Sequence, residues 1–297
     1  MPLWNSNNTS SPHIWRTFLP TLVREGPYYP TLHFTRNAAT GTSPLIVAPT
    51  ADDSAFVWTG PGGTFYGKQP NISNFTAGDF TLYTTVWDAV TQLSFNDRKL
   101  TYFELQPVLP YLQNLTSLAL YSNSSLTSGN ISDWVFPETL TVLRLDYTDL
   151  PGDITNWIFP DSLQNLYVTA TAVTGDISGW SLPSAGYIIN LASTALTGDL
   201  SYLIPGANLF IFSLSSSSFS YGTNGMFSYA TRNNSIYLLG NNSMTTAEVD
   251  RILSDCNTSG TTGSTLNVAG TNQAPTGGAT NPDYLALLGK GWTVTIS

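Results

Sequence analysis

Residues 143–160 read LRLDYTDLPGDITNWIFP, and residues 166–183 read LYVTATAVTGDISGWSLP. The two stretches lie 23 residues apart and share apolar residues at positions 1, 3 and 8, then a Gly-Asp pair, a tryptophan and a proline. Further copies begin at Leu93, Leu118, Ile189, Phe212 and Tyr237, with a weaker copy at Leu266. The spacings of 23 to 29 residues predict a solenoid, in which each unit stacks on the next.

Each copy predicts the same course of the chain. The alternating apolar residues at its start are typical of a short strand with one buried face. The Gly-Asp pair then indicates a turn, and the second apolar set with its proline indicates an irregular return. Because one coil cannot bury its apolar side alone, we expect stacked coils whose strands form a parallel inner sheet, about 4.8 Å apart.

This pattern resembles the leucine-rich repeat over residues 88–244. Its consensus LTGDIS, present as VTGDIS at 173–178 and LTGDLS at 196–201, is similar to the LTGxIP segment of the plant-type subclass. The resemblance implies an α/β, mostly β, right-handed solenoid with a parallel inner sheet. One departure is systematic at the family's position-6 asparagine. Asparagine stands there in two copies, and a hydroxyl residue stands there in four: Asn123 and Asn242, then Thr148, Thr171, Thr194 and Ser217. We expect the hydroxyls to satisfy backbone groups at the bend more weakly.

The flanks predict three further units. Residues 1–27 show no periodicity and are interpreted as an N-terminal arm that docks on a partner or a second copy, or else as a loosely packed extension. Residues 28–87 carry short alternating runs between turn residues, which predict a small β domain covering the first coil. Residues 245–297 predict a C-terminal α/β cap that begins with an amphipathic helix and a Thr245–Glu248 capping box. The stretches WTGPGG at 58–63 and GKGWTVT at 289–295 resemble the flanks of repeat proteins common in bacteriophage genomes and in Bacteroidetes-like bacteria.

Composition limits the classes of partner. Charged residues make up only 10% of the chain, and the net charge is −9, which argues against nucleic acid and anionic membranes as partners. No apolar run reaches the roughly 18 residues that a membrane-spanning helix needs. The start, Met-Pro-Leu-Trp-Asn-Ser, resembles no secretory signal. We therefore expect either a signal removed before residue 1 or another exit route, such as lysis with a virus particle.

Residues with catalytic potential are scarce. The two histidines are His13 and His33, and the motifs of serine hydrolases, phosphate loops and zinc proteases are missing from the sequence. The single cysteine, Cys256, lies on an apolar helix stripe and is interpreted as a buried structural thiol. The sequence therefore predicts no enzyme activity and no cofactor.

Two rows of equivalent residues allow alternative interpretations. Asp153, Asp176 and Asp199 could form a cation ladder, but one carboxylate per coil is poor in the oxygens that calcium needs, so we favour turn capping. Trp134, Trp157 and Trp180 could stack on sugars if they were exposed. Their spacing from apolar residues and proline favours a place in the packed return.

The outward face of the inner sheet is the candidate binding surface. Its polar and aromatic positions vary between copies, and the middle copies supply six candidate residues: Tyr121, Arg144, Asp146, Tyr147, Tyr167 and Asn190. Rigid aromatic anchors beside adaptable polar groups favour binding, and the alternative is a merely solvated strand face. Towards Ser213–Ser218 the face becomes bland, which places the candidate site nearer the N-terminus.

Taken with the resemblance of the flanks, these features predict a non-catalytic, extracellular recognition or structural protein. The first expectation is a bacteriophage virion-surface component, either a tail-fibre or a capsid-decoration protein. Its partners would be virion structural proteins or a host cell-surface protein or glycan, with homo-oligomers formed through the N-terminal arm and no membrane insertion. The alternative is a secreted or cell-surface bacterial adhesin. A glycan-processing enzyme would require a carboxylate pair that the sequence does not locate.

Overall fold

A computed structural model describes residues 30–37, 44–71, 76–96, 99–204, 206–223 and 225–297. The chain is mostly β and forms a solenoid of about six turns with parallel sheets and few helices. The predicted solenoid character is therefore confirmed. The predicted arm, residues 1–27, lies outside the described residues.

The strands are numbered in chain order. They are β1 (Thr31–Arg36), β2 (Leu45–Val47), β3 (Val57–Gly60), β4 (Gly63–Tyr66), β5 (Gly78–Tyr83), β6 (Gln92–Ser94), β7 (Leu100–Glu104), β8 (Ser117–Ala119), β9 (Val142–Arg144), β10 (Gly152–Asp153), β11 (Asn165–Tyr167), β12 (Val173–Asp176), β13 (Ile188–Asn190), β14 (Ala195–Asp199), β15 (Ile211–Ser213), β16 (Ser218–Ser220), β17 (Ile236–Leu238), β18 (Thr265–Asn267) and β19 (Thr293–Thr295). Two α-helices, α1 (Thr246–Thr258) and α2 (Pro282–Gly289), lie near the C-terminus.

The inner sheet follows the register that the repeat predicts. Strands β6, β8, β9, β11, β13, β15, β17, β18 and β19 pair in parallel and in chain order, and β2 adds an antiparallel strand beside β6. Leu93 pairs with Leu118, and Leu118 pairs with Leu143. The first leucine of each of these copies is fully buried, so the strand residues on either side of it lie on the outward face.

A second parallel sheet occupies the segment where the sequence predicted turns. Strands β10, β12, β14 and β16 pair side by side, so the Gly-Asp pairs are strand residues and the turn prediction was wrong there. Gly175 has φ +133°, and a Cβ atom on it would meet the Asp153 Oδ1 atom at 2.7 Å. Glycine is therefore required at this position both for the backbone conformation and for the close approach of the neighbouring coil.

The tryptophan row belongs to the core. Trp134, Trp157 and Trp180 are only 3–4% exposed, and the rings of Trp134 and Trp157 are nearly parallel with centroids 6.4 Å apart. The Nε1 atom of Trp157 donates a hydrogen bond of 2.8 Å to the Ile131 carbonyl of the preceding coil. These buried rings confirm the packed-return interpretation and exclude the row as a sugar-stacking surface.

Most position-6 residues divide by their chemistry; Ser217 is the exception, since its hydroxyl donates to the Leu191 carbonyl of the preceding coil at 3.4 Å. The Nδ2 atom of Asn123 donates to the carbonyls of Phe95 and Leu120, so one side chain joins two coils. The hydroxyl of Thr148 donates to the Leu145 carbonyl of its own coil at 2.7 Å, and Thr171 and Thr194 do the same in theirs. A hydroxyl has one hydrogen to donate where an amide has two, which accounts for the difference.

An antiparallel sheet precedes and adjoins the coils. Its order is β4-β3-β5-β1-β7, and β7 lies beyond residue 87, where the sequence prediction ended the small β domain. The rings of Phe34 in β1 and Phe95 in the first coil lie 5.2 Å apart. The antiparallel sheet and the solenoid therefore share one continuous core.

The C-terminal helix α1 begins as the sequence predicts. Thr245 and Glu248 form both hydrogen bonds of a capping box. The helix buries Val249, Ile252, Leu253 and Cys256 as one stripe, so the structural interpretation of the cysteine is confirmed. No helix in the described ranges is long and apolar enough to cross a lipid bilayer.

Candidate functional site

Strand register brings part of the predicted binding set together on the outward face. Arg144 pairs with Ala119 on one side and with Tyr167 on the other, and Tyr167 pairs with Asn190. Leu143 and Leu145 are fully buried, so the side chains of Arg144 and Asp146 stand on the opposite face. Residues from three coils therefore meet at one point of the inner sheet.

Arg144 and Asp146 form a bidentate ion pair. The Nε atom of Arg144 donates to Oδ1 of Asp146 at 3.0 Å, and Nη2 donates to Oδ2 at 2.8 Å. The carboxylate is nearly buried, whereas the Arg144 side chain is 35% exposed. The hydrogen bonds to Asp146 raise the pKa of Arg144 above its usual value. The pair is therefore electrically neutral as a unit and fixed in orientation.

Two tyrosines flank this guanidinium. Its central carbon lies 3.9 Å from the centroid of the Tyr121 ring and 4.9 Å from that of the Tyr167 ring. Contacts of this kind contribute about 0.5–1 kcal/mol each at exposed sites. Both rings remain partly exposed. The four residues Tyr121, Arg144, Asp146 and Tyr167, here called the arginine cluster, thus form a rigid and neutral aromatic surface.

Tyr147 stands beside the cluster in an unusual backbone conformation. Its φ is +58°, and the equivalent residues of other coils share the left-handed region: Ser122, Ala170, Ser193, Ser216 and Asn241. A bulky residue is disfavoured there, yet the Tyr147 side chain is 58% exposed and gains little from burial. The left-handed conformation is therefore a property of the coil, and Tyr147 is a large, exposed side chain placed in it.

Asn190 lies next to Tyr167 but outside the arginine cluster. Its Oδ1 atom accepts a hydrogen bond of 3.3 Å from the Ala192 backbone N–H, and the residue is partly exposed. The amide therefore extends the polar part of the surface across β13 towards the C-terminal coils.

The row of aspartates caps backbone turns. Oδ1 of Asp153 accepts from the Thr155 N–H at 2.9 Å, and Oδ1 of Asp176 accepts from both the N–H and the hydroxyl of Ser178. Hydrogen bonds from the side chain and backbone of Thr155 lower the pKa of Asp153, and those from Ser178 lower that of Asp176. These bonds give each carboxylate a capping partner within its own coil.

Asp199 is the most enclosed member of this row. Its Oδ1 atom accepts from the Ser201 N–H, the Ser201 hydroxyl and the Gly222 N–H, at 2.7–2.9 Å. Burial acts to raise the pKa of Asp199, but the hydrogen bonds from Ser201 and Gly222 outweigh it, and the pKa is lowered. The capping interpretation thus accounts for all three carboxylates.

The sequence interpretation missed one row of the outward face. Ile188, Ile211 and Ile236 pair in register on adjacent strands and are partly exposed. Each stands directly before the first buried residue of its copy, a position that the repeat alignment left unexamined. Ser213, taken as part of a bland face, is buried. The C-terminal coils therefore present more apolar surface than expected.

Neither a metal-binding group among the described residues nor a match to a known protein assigns a role to the candidate site. Within the described ranges, no group of three or more His, Cys, Asp or Glu side chains is arranged to hold a metal ion. Comparison of the chain with protein-family models, curated proteins and solved structures gives no match. The candidate site is thus defined by the chain's own geometry.

Proposed function

We propose that this protein is a non-catalytic recognition protein whose inner sheet binds another protein through the arginine cluster and Tyr147. The observation that carries the proposal is the stacking of Arg144 between Tyr121 and Tyr167 on a solvent-facing sheet. Tyrosine and arginine are enriched among residues that dominate binding energies. Because the ion pair to Asp146 already fixes the cluster, binding would cost little side-chain entropy.

We further propose that the solenoid is of the leucine-rich-repeat type. Support comes from the regular repeat spacing and from asparagines that join neighbouring coils, as Asn123, Asn242 and Asn272 do. In this proposal the antiparallel sheet and the helices α1 and α2 cap the two ends, since terminal coils need a cover for their apolar sides. Thr148, Thr171 and Thr194 would then mark a divergent subclass.

For the setting, we propose the surface of a bacteriophage virion, with a bacterial cell-surface adhesin as the alternative. The resemblance of the flanking sequences and the acidic, charge-poor composition favour an extracellular setting. Mass spectrometry of purified virions distinguishes the two. Recovery of this chain with the structural proteins is expected, and recovery only from bacterial envelope fractions would favour the adhesin.

The binding surface itself is tested by site-specific photo-crosslinking on the assembled particle. A photoreactive phenylalanine analogue at Tyr167 should form a covalent product with a virion or host-surface protein. The same analogue at Ser220, an exposed residue of the second sheet, is the matched control and should form none. Equal products at both positions, or a product only at Ser220, would contradict the proposal.

A further inference from the structure

A second arginine–aromatic group lies at the edge of the inner sheet, in coils that the arginine cluster does not reach. Tyr187 precedes β13 and Phe210 precedes β15, and their rings stack with centroids 5.2 Å apart and an angle of 24° between their planes. The guanidinium carbon of Arg232 lies 5.3 Å from the Tyr187 centroid and 5.1 Å from that of Phe210. All three residues are partly exposed or exposed.

The coil does not require aromatic residues at these two positions. Equivalent positions of three earlier copies hold Thr116, Thr141 and Gln164, and the two threonine hydroxyls each donate to a carbonyl of the preceding coil. Thr116 bonds to the Thr91 carbonyl, and Thr141 bonds to the Thr116 carbonyl, both at 2.9 Å. The change to Tyr187 and Phe210 gives up this bond in exchange for an aromatic surface under Arg232.

The charge of Arg232 is not matched within the described part of the chain. There, its guanidinium forms no hydrogen bond or ion pair, and its Nε atom is buried without an acceptor. Arg144 differs, since Asp146 binds it at two points. Arg251 differs too, because its Nη1 atom donates to the Tyr221 carbonyl at 3.1 Å. A buried polar atom normally has a partner, but Nε of Arg232 has none, and the partly exposed remainder of the guanidinium faces solvent without a protein acceptor.

The backbone that carries Arg232 is fixed on both sides. The Ser235 hydroxyl donates to the Arg232 carbonyl at 3.1 Å and to the Leu209 carbonyl of the preceding coil at 3.0 Å. The Asn234 N–H donates to the Thr262 carbonyl of the following coil at 3.0 Å. The backbone position of Arg232 is therefore fixed, as in a preorganised recognition group.

We propose that Arg232, stacked on Tyr187 and Phe210, binds the carboxylate of an acidic side chain on a protein partner. The contact with the two rings leaves N–H donors of the guanidinium without a protein acceptor, and the fork geometry of such donors matches a carboxylate. The adjoining residues are the partly exposed Ile188, Ile211 and Ile236. Aliphatic neighbours fit a polypeptide with apolar residues beside its acid.

This site is independent of the arginine cluster. It uses different residues in different coils, so its failure would leave the proposed function standing, and the reverse also holds. The probes are a blocked Leu-Glu-Leu tripeptide, its Leu-Gln-Leu counterpart and glucuronate. The readout is the side-chain Nε–Hε resonance of Arg232 in the full chain, assigned by its loss in Arg232→Lys.

We expect a saturable shift with Leu-Glu-Leu and at least about tenfold weaker binding of Leu-Gln-Leu, since a charge-assisted bond is lost. Tripeptide binding, followed by tryptophan and backbone resonances, should be lost in Arg232→Gln and weakened in Arg232→Lys. The control variant Arg251→Gln should bind normally. Melting curves show that each variant is folded. Equal binding of both peptides, or normal binding by Arg232→Gln, would overturn the site. Tighter binding of glucuronate than of the peptide would overturn the polypeptide partner.

Discussion

The guanidinium carbon of Arg144 lies 3.9 Å from the centroid of the Tyr121 ring. The two residues belong to adjacent coils, and Tyr167 on the opposite side belongs to a third. The cluster therefore exists only when three coils stack in register. The buried leucines set this register. The outward surface that we propose binds a partner therefore depends on them.

The first prediction concerns this register. Leu145 and Leu191 are fully buried, so Leu145→Asp or Leu191→Asp places an unpaired charge inside the stack and should cost about 3–5 kcal/mol. Thermal melting should fall sharply, because each coil depends on its neighbours. Ala192→Asp, one residue on and partly exposed, is the control and should melt close to the parent protein. An unchanged melting temperature for Leu145→Asp would show that the register is wrong.

The second prediction concerns the strained tyrosine. Tyr147→Asn should raise the free energy of unfolding by about 1 kcal/mol, because asparagine tolerates the left-handed region better than tyrosine. Asn241 already occupies the equivalent position of a later coil, at φ +61°. The same variant should weaken partner binding. Denaturant unfolding measures the first effect, with Ser216→Asn as the control that should change less. A loss of stability in Tyr147→Asn would mean that packing, not binding, retains the tyrosine.

The third prediction concerns metal. Since Asp153, Asp176 and Asp199 bind backbone N–H groups and hydroxyls, removal of divalent cations with EDTA should leave the melting temperature unchanged. Differential scanning calorimetry with and without chelator makes the comparison. A clear decrease that calcium restores would instead favour the cation ladder.

The fourth prediction concerns acid. The pKa of Asp199 is lowered in the folded protein, so the stability it contributes is present above the unfolded value, about 3.9, and is lost as the pH falls through the folded value. Asp199→Asn should flatten the decline of unfolding free energy below about pH 4. An identical decline in the parent and the variant would contradict the capping role.

Asp255 supplies the comparison of opposite sign. Burial raises its pKa, although the Tyr221 hydroxyl donates to its Oδ2 atom at 2.6 Å and opposes the shift. The stability that Asp255 contributes is therefore present below the unfolded pKa and is lost as the pH rises through the folded pKa. Asp255→Asn should remove this loss. The slope of unfolding free energy against pH should therefore change in opposite directions in Asp199→Asn and Asp255→Asn.

Much of the fold could be predicted because the same apolar pattern recurs in each copy of the repeat. The leucines at positions 1 and 3 fixed the parallel inner sheet, and Thr245 with Glu248 fixed the start of α1. The second sheet could not be predicted in the same way. Its Gly-Asp residues carry turn propensity, and the pairing between neighbouring coils, such as Asp153 with Thr174 and Gly175 with Leu196, makes them strand residues.

The candidate site shows a similar division. The alternation of side chains along each strand predicted that one face carries Tyr121, Arg144, Asp146 and Tyr167. The pairing register of adjacent strands brings these residues into contact. Sequence alone does not report that Asp146 neutralises Arg144 or that Tyr147 has a positive φ. The repeat pattern does not predict the group of Tyr187, Phe210 and Arg232, because Arg232 lies in a loop five residues before Tyr237, outside the repeated positions.

The binding role of the inner sheet is tested most directly by the double variant Tyr147→Ala with Tyr167→Ala. The measurement is the affinity of the purified protein for host cells or isolated virions, taken beside a melting curve. We expect affinity to fall at least about thirtyfold, or about 2 kcal/mol, while melting stays nearly unchanged. The control Ser215→Ala with Ser216→Ala, two residues with exposed surface in a more C-terminal coil, should bind normally. Normal binding by the tyrosine variant, with attachment lost only when residues 1–27 are deleted, would show that the solenoid is a spacer.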